Sequence, residues 1–238
     1  MSRVLRGAAL AMAVGISAPA LAALVTYQAQ GNFNAAIAGL TATTTDFDGI
    51  APGTSYPPGS GLAGSGFTVG LTAGSASSGF NLPTVGSVFW TTSGTHYLGL
   101  DNPDTAFESG DALVFSFLSP VQGFGLYVVG GRDLLDIQAG AVTLTVDGAT
   151  LAISSIDYLA SGNGDYAFFL GFATDDGSTF SSATLTVGDG SGVIPVTVDD
   201  VTLARTPDNG TPLPEPGGLL LVSTAMAAAW LRTRIARS

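Results

Sequence analysis

Eighteen carboxylates, one histidine and no cysteine set the chemistry this 238-residue chain can offer. The densest acidic stretch is Asp101-Asn102-Pro103-Asp104 with Glu108 and Asp111. It lacks the alternate-position spacing of an EF-hand loop. Asn-Pro and Asp also favour turns, so a turn and a loop cation site both stand as readings. Two further pairs are Asp46 with Asp48, and the adjacent Asp199 and Asp200. Neighbours on a regular strand point to opposite faces, which predicts that Asp199 and Asp200 do not act together. His96 is alone, so a multi-histidine metal site is excluded. No Gly-x-Ser-x-Gly elbow accompanies it to support a Ser–His–Asp arrangement. Glycoside hydrolysis needs two carboxylates at a set separation. The acids are numerous enough for that, but no motif selects a pair. Without cysteine, disulfides, thiolate catalysis and Cys-ligated zinc are excluded. Trp90, Tyr97, Tyr56 and Tyr158 could stack on sugar rings; core packing is the competing role, and Trp90 lies in an apolar run that favours it.

The charge is lopsided. All seven basic residues are Arg, and five of them lie near the chain ends: Arg3, Arg6, Arg232, Arg234 and Arg237. The 18 acids all fall between those ends, where only Arg132 and Arg205 offset them. A body this acidic repels phosphate backbones, so no nucleic-acid partner is expected. Anionic membrane surfaces are disfavoured for the same reason. Divalent cations or a polysaccharide neighbour suit it better.

The elements that must position these residues read as strands. Short alternating or aromatic-rich runs between residues 23 and 205 are split by Gly, Pro, Asn and Asp. The runs are Thr43–Phe47, Gly66–Thr72, Ser87–Thr91, Tyr97–Leu100, Ala112–Leu118, Gly123–Val129, Val142–Val146, Thr150–Ile156, Tyr166–Ala173, Ala183–Val187 and Pro195–Ala204. Asp147-Gly148 supplies the two positive-φ positions of a type I′ hairpin. Asn32–Leu40 could form one short helix. Residues 49–66 and 73–86 read as loops, as do Asp175-Asp176-Gly177 and Asp189-Gly190. The expectation is an all-β body, a jelly-roll-like two-sheet β-sandwich.

Both ends carry targeting patterns. Residues 1–22 read as a signal peptide for the Sec translocon: Arg3 and Arg6, then an apolar stretch, then Ala20-Leu21-Ala22 as the cleavage site before Ala23. Residues 206–216 form a Pro-rich linker. The apolar run Gly217–Leu231 follows, with Arg232, Arg234 and Arg237 closing the 217–238 segment. About 15 helical residues span roughly 22 Å at 1.5 Å each. A hydrocarbon core is about 30 Å thick, so this transmembrane helix is a short foothold. The positive-inside rule places its Arg end in the cytoplasm and the acidic body outside.

Pro214-Glu215-Pro216, the apolar run and the Arg end, in that order, resemble the PEP-CTERM sorting signal of Gram-negative bacteria. The resemblance covers about 25 residues. It implies recognition by exosortase, a membrane protease-transpeptidase, with cleavage near the motif. It further implies a surface or extracellular-matrix destination alongside exopolysaccharide, after transient anchoring in the inner membrane. Leu113–Tyr127, Phe168–Phe172, Ala183–Val187 and Val198–Leu203 are similar to strands of PEP-CTERM extracellular domains. Jelly-roll carbohydrate-binding modules offer a second resemblance, in which neighbouring first and last strands share a structural calcium. That pattern maps onto Asp48 and Asp199, although Asp48 stands where those modules often have the longer Glu. The functional expectation is a non-enzymatic exported protein. The alternatives are a carbohydrate-binding module using Trp90 and Tyr97, and a secreted hydrolase.

Overall fold

The computed structural model describes residues 23–207, apart from 58–59, 62–64, 74–81, 90, 101–105, 108, 131–139, 155, 160–165 and 189–195. In chain order the strands are β1 (Leu24–Tyr27), β2 (Thr41–Thr45), β3 (Phe67–Ala73), β4 (Pro83–Gly86), β5 (Tyr97–Leu100), β6 (Ala112–Val121), β7 (Gly123–Gly130), β8 (Val142–Val146), β9 (Ala149–Ala152), β10 (Tyr158–Leu159), β11 (Tyr166–Thr174), β12 (Phe180–Val187) and β13 (Val196–Arg205). One helix, α1 (Gln30–Ala36), follows β1.

The strands form two antiparallel sheets. The larger runs β1-β11-β7-β13-β5-β4, with β10 on β11 and β2 on β13. The smaller runs β3-β6-β12-β8-β9. Strict alternation makes the sandwich. In β8, Val142, Leu144 and Val146 are buried while Thr143 and Thr145 between them are half-exposed. In β6, Leu113, Phe115 and Phe117 turn inward the same way. These side chains meet Leu126, Val128, Phe168, Leu170, Val198 and Leu203 of the other sheet in one continuous core. Burying a large apolar side chain stabilises the fold by about 1.5–3 kcal/mol, so this interior holds the sheets face to face.

A second, smaller core lies on the outer face of the larger sheet. Phe33 and Ile37 from the α1 region pack there on Tyr127, Val129, Phe169 and Ala204. Glycines make the seat. A β-carbon on Gly125 would come within 2.5 Å of the Phe169 ring, and one on Gly171 within 3.0 Å of Phe33.

The all-β two-sheet expectation holds. Most strand positions agree within a few residues, and the hairpin at Asp147-Gly148 has both φ angles positive, at 46° and 82°. Four local expectations change. Ser87–Thr91 is not a strand; the strand is the preceding Pro83–Gly86, read from sequence as loop. β4 is an edge strand that begins at Pro83, where the missing N–H breaks no interior ladder. β1 and β10 were not anticipated. The helix begins at Gln30 and ends at Ala36, so it is shifted from Asn32–Leu40. Residues 1–22, including Ala20 and Ala22, lie outside the described residues, as do Trp90 and everything from 208 to 238. Among the described residues, no helix is long and apolar enough to cross a membrane.

Candidate functional site

Three carboxylates converge on one loop, residues 91–96, which leads into β5. Two come from β13. Its pairing with β7 shifts register between Asp199 and Thr202, and Asp200 sits at φ 48°. This is a β-bulge, and the extra residue re-aims its side chain. The expectation that Asp199 and Asp200 point apart is therefore corrected. Both reach the Thr92 hydroxyl, Asp199 Oδ2 at 2.9 Å and Asp200 Oδ2 at 2.7 Å. The Thr92 and Ser93 amides also donate to Asp199 Oδ2, at 2.8 and 3.1 Å. Ser93 Oγ donates to Asp200 Oδ1 at 2.8 Å. The Asp200 amide donates to Asp199 Oδ1 at 2.8 Å.

The third carboxylate arrives from the end of β2. Asp48 Oδ1 accepts the amides of Thr95 at 2.7 Å and His96 at 3.0 Å. Gly94 makes room. Its φ is +46°, and a β-carbon there would overlap the Asp48 carboxylate. Two residues earlier, Asp46 Oδ1 accepts the Asp48 amide at 3.2 Å. β2 pairs with β13 from Thr45↔Val201 to Thr41↔Arg205, so the strand read from sequence as the first neighbours the last, whereas the observed first strand, β1, pairs with β11. The β2–β13 pairing brings Asp48 and Asp199 to the same loop.

The electrostatics of the cluster are costly. Asp199 is fully buried. Burial first, and the neighbouring Asp200 charge second, push its carboxyl up to about 7. The Thr92 hydroxyl has one proton and can donate to only one of the two carboxylates at a time. Arg205 is the one arginine among the described residues, and its guanidinium donates to the Gly66 carbonyl at 3.1 Å.

In this arrangement the Asp48 and Asp199 oxygens that face the loop accept N–H and O–H donors. Among the described residues, no group of three or more His, Asp or Glu side chains is arranged around a metal position. The carboxylates act as clamps on the loop backbone. Thr92 and Ser93 were not singled out from the sequence, and Asp200 was set aside on the assumption of regular alternation. The signal was present, however. Buried apolar residues occupy even positions at Val196 and Val198, then odd positions at Val201 and Leu203. That change of parity marks an inserted residue.

The remaining candidates separate. Tyr97 is buried, its ring lying over Gly86 and 6.0 Å from the Phe89 ring, so it offers no face to a sugar. Tyr56 is likewise buried. Tyr97 was read from the sequence as a sugar-stacking candidate, and that role is corrected. His96 places Nδ1 in a buried position without a hydrogen-bond partner. Asp111 is wholly buried just before β6, while Asp101, Asp104 and Glu108 lie outside the described residues.

No family model matches this chain. No curated protein matches it either. Among solved structures, it is similar to the catalytic domain of a GH87 alpha-1,3-glucanase in complex with nigerose, at 18% identity and a TM-score of 0.30. That alignment covers 59% of this chain and 28% of the other. A tetrasaccharide complex of the same catalytic domain gives 17% identity and a TM-score of 0.29, covering 59% and 28%. The chain thus spans less than a third of the length of these structures.

Proposed function

We propose that this chain is an exported, non-catalytic surface or extracellular-matrix protein, sorted through its C-terminal tail by exosortase. The carrying observation is the order of parts after the body. β13 ends at Arg205, and the Pro-rich linker begins at the next residue. Pro214-Glu215-Pro216, the apolar run and Arg232, Arg234 and Arg237 then follow without interruption. A short apolar segment with charge only at its inner end holds the linker at the outer membrane–water boundary. A membrane-embedded protease would meet the motif there. The body is cargo; its clamped loop and two-sheet core serve folding.

A jelly-roll-like wrap belongs to the same reading. It is supported by β2 lying beside β13, and by the chain crossing between the sheets along β6, β7 and β8 and again along β11, β12 and β13. The test is processing. Replacing Arg232, Arg234 and Arg237 with Gln should make the precursor accumulate on a blot of the native host. An unchanged precursor-to-mature ratio would contradict the proposal.

A further inference from the structure

The two outward faces of the sandwich differ. That of the larger sheet is covered around Tyr127 and Phe169 by Phe33 and Ile37. The smaller sheet is different in kind. None of its five strands contains an Asp, Glu, Arg, Lys or His. Its outward positions are mostly hydroxyls in register, with Val114 and the exposed Leu118 of β6 among them. Thr68, Ser116 and Ser182 form one cross-strand row. Thr184, Thr145 and Thr150 form part of the next. Ser116, Ser182 and Thr150 are exposed; Thr68, Thr145 and Thr184 are half-exposed. The Thr145 and Thr150 hydroxyls lie 3.1 Å apart.

The chain carries 18 acids. Leaving five adjacent strands uncharged places that charge elsewhere in the chain, so the face itself is neutral, with Asp147 at its border in the β8–β9 turn. The charge pattern selects the partner. A polyanion is repelled by the net charge of −11. A cationic protein would seek the acidic loops instead. Each hydroxyl on the face both donates and accepts, and so matches another hydroxyl in either sense. Adjacent strands lie about 4.8 Å apart, close to the rise of one sugar unit along an extended polymer.

We propose that the outer face of the β3-β6-β12-β8-β9 sheet is a docking surface for an uncharged polysaccharide, laid across the strands. This rests on the matrix reading above only for where protein and polymer meet.

Affinity electrophoresis of the full chain tests it, in native gels containing dextran, pullulan or hydroxyethylcellulose, with alginate as the acidic control. The expected result is retardation in at least one neutral gel and none in alginate. The double variant Thr145→Glu/Thr184→Glu should weaken apparent binding at least tenfold. Thr145→Val/Thr184→Val keeps shape and strand preference while removing the hydroxyls, and should also weaken it. Thr41→Glu, on the other sheet, should leave it unchanged. Absence of retardation in every neutral gel would overturn the proposal, and so would retardation indifferent to the face variants. A self-association abolished by the same variants would assign the face to a second copy and overturn it too. The precursor-to-mature ratio in the native host reports sorting separately, so normal sorting with no retardation sinks this proposal alone.

Discussion

Asp199 is the residue whose chemistry departs furthest from the ordinary. Its carboxyl titrates near 7 because burial, then Asp200, penalises the charged form. The sign follows. The folded state holds this proton to higher pH than the unfolded chain does, so Asp199 costs nothing below about pH 4 and costs most above about pH 7. At 1.36 kcal/mol per unit, the loss is on the order of a few kcal/mol. Asp199→Asn keeps an acceptor for the Thr92 and Ser93 amides but cannot ionise. Its melting temperature should gain on the native protein as pH rises from 4 to 8; a constant difference would show that Asp199 does not titrate there. Gly94→Ala should be destabilising by about 1–3 kcal/mol in urea titrations, since the new methyl needs a φ of +46° and the space Asp48 occupies. At this scale the sequence was partly legible. Asp48 and Asp199 were singled out through a first-and-last-strand calcium pattern, and both lie against residues 91–96. Their partners there are backbone amides, which carry no signature in residue type. Asp200 was set aside on the assumption of regular alternation, although the apolar parity on either side of it already broke that rule.

At the level of elements, alternation did most of the reading. β5 and β8 match their sequence-predicted bounds; in β8, inward apolar and outward Thr residues leave one register. The misreadings have physical causes. Val88 and Phe89 look like strand residues by type, yet both are exposed on a bend. Pro83-Thr-Val-Gly86 looks like a turn by type, yet an edge position tolerates it as a strand. The helix depends on glycines that sequence alone presents only as strand weakeners. Gly125→Ala would place a methyl within 2.5 Å of the Phe169 ring, which is already packed against Phe33. Overpacking of this kind costs about 1–3 kcal/mol. Phe33→Ala empties the seat from the other side and should cost about 3–5 kcal/mol. Chemical denaturation of both variants checks the pair; a Gly125→Ala variant as stable as the native chain would show that the seat is loose.

For the molecule as a whole, charge placement and chain order carry the account. The fold class was readable because some ten short alternating runs leave few architectures open. The proposed sorting tail is argued from sequence alone, because its three parts are local in sequence and need no fold to be recognised. The uncharged face was not readable, because it emerges only when β3, β6, β12, β8 and β9 are laid side by side. Aromatics facing sugar were one alternative for the body, and Tyr97 and Tyr56 are instead core residues. The central claim, that the tail is a processing signal for an exported acidic sandwich, is tested most directly by intact-mass spectrometry of the protein recovered from its native host. The account predicts a chain that begins at Ala23 and ends near Pro214-Glu215-Pro216, without Leu231 to Ser238. A recovered chain that still carries both the first 22 residues and the terminal arginines would contradict it.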